Sequence, residues 1–302
     1  SMIRMDNNMK EKLDKMLEEG EITRETYEEM KERWNDGPEK PSVETAETPG
    51  QERKSGGNSV VRISGSGSLT EVDAHELHIS GSGKVSGSVH VALMKVSGAA
   101  KVDGSVYFSD SLANSGSLNV SGVIKGGALN SSGTLSSEST KVSAFISFGS
   151  AKMAGLLESE SVESKGTLKA SGIKCRTMDS SGIVHTETLE SGKVQIHGAI
   201  TASNVKADSF ELESMGWGTE IKLLESDDIL VTVKKRLVFP SSRVDIGEIK
   251  GGTVRIESVR CPKISAREVT IGDNCRIGYV EAGKISVSDK SIVKEKKIVG
   301  DN

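Results

Sequence analysis

Three sets of residues in this sequence could do chemistry: a glycine–lysine tetrapeptide, five histidines and three cysteines. The tetrapeptide, GSGK at 81–84, ends like a phosphate-binding loop. Such a loop also needs a glycine at position 78 and Ser or Thr after the lysine, but the chain has His78 and Val85 there. A dinucleotide-binding glycine motif fails as well, because no strand–loop–helix unit surrounds these glycines. We therefore interpret GSGK as a turn.

The histidines and cysteines lack the spacing of a metal site or a catalytic group. His75 and His78 are three residues apart, which on a strand places them on opposite faces, while His78 and His90 could approach one another across a repeat. No cysteine or acidic residue keeps metal-ligand spacing to them. We interpret the histidines as structural or surface residues and the cysteines as small core residues, and we predict no cofactor and no metal. The residues concerned are His75, His78, His90, His185, His197, Cys175, Cys261 and Cys275.

The composition bounds the partners and the compartment. The 302 residues carry a formal net charge of −4, and only 3% are aromatic. There is no basic stripe with interleaved aromatic residues, so nucleic acid is not an expected partner. No run of about 18 apolar residues predicts a membrane-spanning helix, and the N-terminus SMIRMDNNMKEK has no apolar signal segment. Because the three cysteines are an odd, widely spaced set, we expect a reducing compartment and a cytoplasmic protein.

The elements that would position any such group follow a short repeat that begins at residue 59. Single apolar residues follow glycine-rich turns at intervals of 15 to 18 residues. The stretches between them, such as SVHVALMKV, alternate with the period of two that is typical of strands. A repeat this short predicts a solenoid. The marking residues are Leu69, Val85, Val102, Leu118, Leu135, Met153, Leu168, Val184 and Ile200.

A repeat of about 17 residues is too short for a strand and a helix, but it fits three short strands joined by tight corners. Each repeat would be one rung of a parallel β-helix, with inward Val, Ile or Leu stacked on the same position of the next rung. Gly, Ser and Asn at the corners tolerate positive φ or a close approach of two backbones. The residues after Asn58 would make about 14 rungs, a rod about 65 Å long at about 4.8 Å per rung.

Residues 1–35 differ from the repeat and predict an α-helical hairpin. Gly20 suits the left-handed end of a first helix, and Thr23 suits the N-cap of a second. Each helix has about a dozen residues and would not be stable alone in water, so its apolar stripe must dock on the other helix, the rest of the chain or another subunit. The predicted docking residues are Leu13, Met16, Leu17, Tyr27, Met30 and Trp34.

Composition also divides the remainder of the chain. Residues 36–58 hold three of the five prolines and predict a disordered linker. Regular rungs extend over 59–212. Residues 213–240, with longer apolar runs, predict a wider rung, an inserted hairpin or a boundary between two solenoid segments. A second segment then covers 241–302 and ends in a basic tail, KSIVKEKKIVGDN, which we expect to fray.

Some parallel β-helices are polysaccharide lyases or hydrolases. Their sites need clustered carboxylates and basic residues, usually carried on long loops. Before residue 213 the corners of this chain are two to four residues long and poor in Asp and Arg. We therefore predict a protein that is not an enzyme and has no small-molecule substrate.

The rungs ISGSGSLTEVDAHELHISGSGKVSGSVHVALMKVSGAAKVDG and the later stretch IGDNCRIGYVEAGKISVSD resemble the bactofilins, a family of polymer-forming cytoskeletal proteins. The resemblance covers about 59–212 and again 241–290. It implies a right-handed β-helix that polymerises end to end without nucleotide, often near a membrane. The segment EEGEITRETYEEMKERW is similar to a SHOCT-type helical module, which implies oligomerisation. The chain departs from the bactofilin family in its longer solenoid and in its helical arm.

The sequence therefore predicts a mainly β protein, a right-handed parallel β-helix with an N-terminal helical hairpin, that assembles with copies of itself into oligomers or filaments. The terminal rungs expose unpaired backbone and apolar core, so each end must be capped or paired. We expect the C-terminal end to be the more available one, with the lysines of KEKK as a partial gatekeeper. The predicted assembly interface consists of Val60, Val61, Ile63, Ile285, Val287, Ile292 and Val293.

A second function stays open at this point. The chain could be an adhesin-like or signalling β-solenoid, a binding module that is oligomeric through its helical hairpin. Met2, Ile3 and Met5 are too few for stable membrane anchoring, so any membrane association would be weak and peripheral, with the protein membrane-proximal in the cytoplasm.

Overall fold

The computed structural model describes the backbone of residues 43–45 and all of residues 59–215, 218–234 and 244–300. Over these residues the chain forms 23 strands in one sheet, every pairing between strands is parallel, and there is no helix. The strands build a solenoid of about 14 rungs, which confirms the prediction of a mainly β parallel solenoid. The predicted hairpin at 1–35, with its six docking residues, lies outside the described residues.

The strands are short in the first half of the rod and longer in the second. The first fifteen are β1 Val43–Thr45, β2 Val60–Ile63, β3 Ser66–Leu69, β4 Val72–Asp73, β5 Glu76–Ile79, β6 Ser82–Val85, β7 Val89–Val96, β8 Ala99–Val102, β9 Val106–Asn114, β10 Ser117–Val120, β11 Val123–Ser131, β12 Thr134–Ser137, β13 Ser139–Ser147, β14 Ser150–Met153 and β15 Leu156–Ser164. The remaining eight are β16 Thr167–Ser180, β17 Ile183–Ile196, β18 Ala199–Ser214, β19 Glu220–Val233, β20 Val244–Ile256, β21 Val259–Ile271, β22 Arg276–Val287 and β23 Ile292–Ile298.

Each rung passes over three faces, which we call A, B and C. In the first rung β2 lies on face A, β3 on face B and β4 on face C, and they pair with β5, β6 and β7 of the second rung. In the first half, strands such as β9 and β11 continue from face C to face A. From β16 onward a single strand continues through both corners of a rung, so that β16 and β17 each span all three faces. We call the residues that pair with one another from rung to rung a column.

The predicted repeat has the correct length, but its marking residues belong to two different columns. Leu118 pairs with Ala100, and Val120 pairs with Val102, so Val102 and Leu118 are not stacked. Met153 is likewise in the column of Ser137, whereas Ala151 is in that of Leu135. Both columns face inward and lie two residues apart on the same strand, which is why an alternating sequence could not distinguish them.

The glycines that follow face A are required by a close approach of backbones. A Cβ atom on any of them would overlap the carbonyl oxygen of the glycine one rung earlier. No side chain fits there at the observed rung spacing, and these glycines do not have positive φ. The corner from face A to face B therefore carries a ladder of glycines, which consists of Gly81, Gly98, Gly116, Gly133, Gly149, Gly166, Gly182 and Gly198.

The core is a bundle of apolar columns that run the length of the rod. One column of face A contains only Leu, Met, Phe, Val and Ile, from Leu77 through Phe145 and Phe210 to Val269, and all of its members are buried. Burial of such side chains stabilises the fold by about 2 kcal/mol each.

A second inward column of face A becomes polar in the middle of the rod. Between Val96 and Ile196 it holds one asparagine and four serines, each at most 2% exposed. The asparagine Nδ2 donates to the Oγ of the next serine (3.0 Å), whereas two serine hydroxyls have no hydrogen-bond partner. This polar column was not predicted, because inward positions were expected to hold Val, Ile or Leu. Its members are Asn114, Ser131, Ser147, Ser164 and Ser180.

Two serines of the polar column should respond in opposite directions to the same substitution. Ser147→Ala removes a buried hydroxyl without a partner and is expected to raise stability by about 1 kcal/mol. Ser131→Ala removes the acceptor of the Asn114 amide and is expected to lower stability by about 1 kcal/mol. Thermal unfolding followed by circular dichroism measures both variants. Equal shifts of the same sign would show that hydrogen bonding in this column does not decide its stability.

Parallel pairing continues across 213–240. Ala202 pairs with Ile221 and Ile221 pairs with Ile246, so the two rungs contain 19 and 25 residues. The additional residues lie between β18 and β19 and between β19 and β20, after face A. The strands on either side therefore belong to one sheet.

The two ends also differ from the sequence-based expectation. The basic stretch expected to fray forms β23, which pairs with β22 as far as the pair of Ala282 and Ile298. Within the predicted linker 36–58, β1 pairs in parallel with Val60–Arg62 of the first rung. In both places an edge of the solenoid offers unpaired backbone groups, and pairing satisfies them.

Candidate assembly surfaces

The first rung brings three of the predicted assembly residues together in β2. Val60 and Ile63 are buried, and Val61 is half-buried against the core. β1 pairs with the outer edge of this strand, whereas among the described residues β3 and β4 pair only with the second and later rungs. The chain itself therefore covers this end on face A, and no strand of the described residues pairs with the outer edges on faces B and C.

The last described rung consists of Lys284–Val287 on face A, Ile292 and Val293 on face B, and Glu295–Ile298 on face C. Ile285, Val287 and Val293 point inward and are only half-buried, since no described rung lies beyond them. Ile292 is in the outward column of Arg276 and is 60% exposed. Three of the four predicted residues thus form the apolar end of the core, and the fourth lies on the surface beside it.

One charged residue of the last rung occupies a core position. Lys296 pairs with Val280, whose column continues through Ile264, Ile249 and Leu224, and all four of those side chains are fully buried. Only in the last rung does this column hold a charge. An inward-pointing charge is one of the features by which natural sheets limit pairing at an edge. The tail was predicted to act as a gatekeeper as a whole, and the structure places Lys296 at the inward position.

Lysine and glutamate alternate along the outward column of face C. Lys141 Nζ lies 2.8 Å from a carboxylate oxygen of Glu158, and Lys297 Nζ lies 2.7 Å from Glu281. In both pairs the lysine hydrogen bond lowers the pKa of the glutamate. These exposed pairs contribute little individually, but in this column each lysine from 141 onward has a glutamate one rung away. The column runs through Lys141, Glu158, Lys174, Glu190, Lys206, Glu225, Lys250, Ser265, Glu281 and Lys297.

Face B has a different distribution of charge. Over its first nine rungs, from Ser66–Leu69 to the start of β18, the strands of this face contain no Asp or Glu. Asp103 at the next corner lies 3.5 Å from both Lys84 and Lys101, but Lys152 and Lys169 have no ion pair with a described residue. Their uncharged outward neighbours are mainly Ser and Thr. The first nine rungs of face B therefore form a cationic, hydroxyl-rich surface.

Two exposed hydrophobic side chains flank the middle of this surface. Phe148, 43% exposed, lies at the corner before face B, and the Nζ of Lys165 is 4.7 Å from the centre of its ring. Leu156, 41% exposed, lies at the start of face C after it. Lys152 and Lys169 lie between these corners and pair in register on adjacent rungs.

The cysteines and histidines that could do chemistry do not lie together at one site. Cys261 and Cys275 are buried and Cys175 is half-buried, and burial raises the pKa of all three thiols, that of Cys261 to about 12. Among the described residues no three His, Cys, Asp or Glu side chains are placed to hold a metal ion. His78 lies on face A, 2.7 Å from Glu76, and His90 on face C stacks on Tyr107. The predicted approach of His78 and His90 is therefore wrong.

Among the residues that the structure describes, no helix is long and apolar enough to cross a membrane. Sequence reasoning did not find the inward position of Lys296 or the cationic surface of face B. The 17-residue spacing within the lysine pairs 84/101 and 152/169 carries the signal of the cationic surface. Comparison of the chain with protein-family models, with curated proteins and with solved structures finds no match.

Proposed function

We propose that this chain is a non-enzymatic structural rod, a bactofilin-like cytoskeletal protein of the cytoplasm that assembles with its own copies through its terminal rungs. The assembly would need no nucleotide. The observation that carries the proposal is the last rung. No described strand pairs with its outer edges, and Ile285, Val287 and Val293 are half-exposed in continuation of buried columns. A second copy would bury these side chains and pair the open backbone groups, both of which favour association.

Sedimentation of the full chain over a range of concentrations, without nucleotide, tests this proposal. We expect the mean mass to rise with concentration, rods longer than one chain in negative-stain images, and no effect of added ATP or GTP. A chain that stays monomeric at every concentration would rule out the scaffold.

A second candidate is the binding module, and face B is the observation that favours it. A flat surface without carboxylates, with paired lysines between Phe148 and Leu156, suits the plane of an anionic lipid membrane better than a linear polyanion, which would gain nothing from the two hydrophobic corners. This surface would supply the weak peripheral membrane association predicted from the sequence.

Replacing two lysines on face B should weaken binding to anionic vesicles. Lys152→Ala with Lys169→Ala is expected to reduce binding to phosphatidylserine-containing vesicles about thirtyfold, at about 1 kcal/mol per lysine. The matched control is Lys174→Ala with Lys206→Ala, which removes the same charge from the alternating column of face C. Vesicle co-sedimentation at low salt compares the two. An equal loss from both pairs, or equal binding to neutral vesicles, would contradict a site on face B.

A further inference from the structure

The two ends of the rod match one another column by column. Following the register from rung to rung places Ile285 in the column of Val61 and Val287 in that of Ile63. If the last rung of one copy lay on the first rung of another, the apolar columns of face A would continue through the junction. On face B, Val293 would meet Leu69 in the same way.

The match on face C is one of size and of charge. Ile298, which is 72% exposed, falls in the column that begins at Ala74, so that a large side chain would oppose a small one. The face C segment of the last rung, KEKK at 294–297, has three lysines and one glutamate, net +2. The corresponding segment of the first rung, TEVD at 70–73, has two carboxylates and no base, net −2.

We infer that copies of this chain join head to tail, the last rung of one on the first rung of the next, and that Lys296 excludes contact between two C-terminal ends. This inference rests on the proposed end-to-end assembly and adds its polarity. Two C-terminal ends would bring two +2 segments together and enclose two lysines in apolar columns, which is unfavourable because an unpaired charge loses its hydration there. On the first rung only one lysine would enter the column. Its aliphatic stem would cover Val72 and its ammonium group would extend outward to the side of the exposed Glu71, so its charge would be compensated.

A head-to-tail contact also has a competitor in the same chain. β1 pairs with Val60–Arg62, and those are the residues whose column ends at Lys284–Ser286. A strand of another copy would have to take the place of β1 on face A. On faces B and C of the first rung no strand of the described part of the chain would have to be exchanged.

Cysteine cross-linking in the full chain distinguishes the polarities. Ser68 and Ile292 are exposed, lie outside the charged segments and mark the two ends of one outward column of face B. Ser68→Cys and Ile292→Cys are made in separate chains, one of them enlarged by a tag, and mixed under mild oxidation. Head-to-tail contact predicts the 68–292 product in at least about tenfold excess over the 292–292 product, because like charges disfavour the second. Asn119→Cys, at the fourth rung of the same column and away from both ends, is the control for random collision, and the wild type controls for the native cysteines.

The remaining outcomes separate this inference from the proposed function. A dominant 292–292 product in an assembling sample overturns the polarity and leaves end-to-end assembly standing. If no product exceeds that of the Asn119→Cys control, both the polarity and the end-to-end assembly are overturned, whether sedimentation shows monomers or oligomers. Lys296→Leu provides a second reading: it should raise the 292–292 product about tenfold by admitting the excluded contact, and an unchanged ratio would show that Lys296 does not set the polarity.

Discussion

Replacing Gly133 by alanine is expected to destabilise the rod by about 3 kcal/mol, the upper range for an overpacked interior. The added methyl group would overlap the backbone carbonyl oxygen of Gly116 one rung earlier. A flexible side chain could move away, but that oxygen belongs to a corner whose own position is fixed by rungs on both sides. The two rungs would have to separate, and the hydrogen bond from Thr134 N to Gly116 O (2.9 Å) would weaken.

Gly65→Ala is the matched control. Gly65 stands at the same corner of the first rung, and a Cβ atom there would have no neighbour within 4 Å. Alanine also restricts the unfolded chain, so this variant is expected to be unchanged or slightly more stable. Circular dichroism gives the shift in midpoint, and hydrogen exchange of the rungs around 116–150 shows whether the loss is local, as expected where each rung contacts only its neighbours. Equal midpoints for the two variants would contradict the close-approach explanation.

The overall fold was predictable because one period dominates the sequence. Glycines at 16–18 residue steps and alternating strands define rungs, and rungs of that size have room for three strands. The phase was not predictable in the same way: Leu118 and Val120 are both apolar and both inward, so sequence alternation cannot decide which of them stacks on Val102. Only the pairing of backbones resolves such a two-residue ambiguity.

The polar column shows a second limit. Asn114 and the four serines precede the corner glycines by two residues, where most other rungs have Ile, Val or Leu. In sequence they merge with the serine-rich corners, and a composition argument assigns them to the surface. A search of the position two before each glycine would have separated them, since that position is inward in every rung of this region.

The candidate assembly surface was predictable in part. That the ends must be covered follows from any open sheet, and Ile285, Val287 and Val293 were predicted at the C-terminal end. The direction of each side chain was not: Ile292 points outward and Lys296 inward, because the corner after Val287 contains four residues, Ser288–Ser291, and resets the alternation. A strand pattern can be extrapolated within a face but not through a corner of unknown length.

Val287→Arg is expected to abolish self-association while leaving the rod folded. Val287 points inward in the last described rung, packs against the core and is half-exposed, so an arginine in a single chain can extend into water. In an assembly it would be enclosed at the end of the apolar column that continues through Ile271, without a carboxylate facing it. Burial of an unpaired charge disfavours only the assembled state, by several kcal/mol, which exceeds a hundredfold in the association constant.

The matched control is Ser286→Arg, which adds the same charge one residue earlier on the outward side of the same strand. Sedimentation of wild type and both variants at several concentrations, with circular dichroism to verify folding, separates the effects. We expect wild type and Ser286→Arg to associate and Val287→Arg to remain monomeric with an unchanged spectrum. If Val287→Arg associates as the wild type does, the contact does not use the last rung, and association would have to occur along the sides of the rod or through residues 1–58.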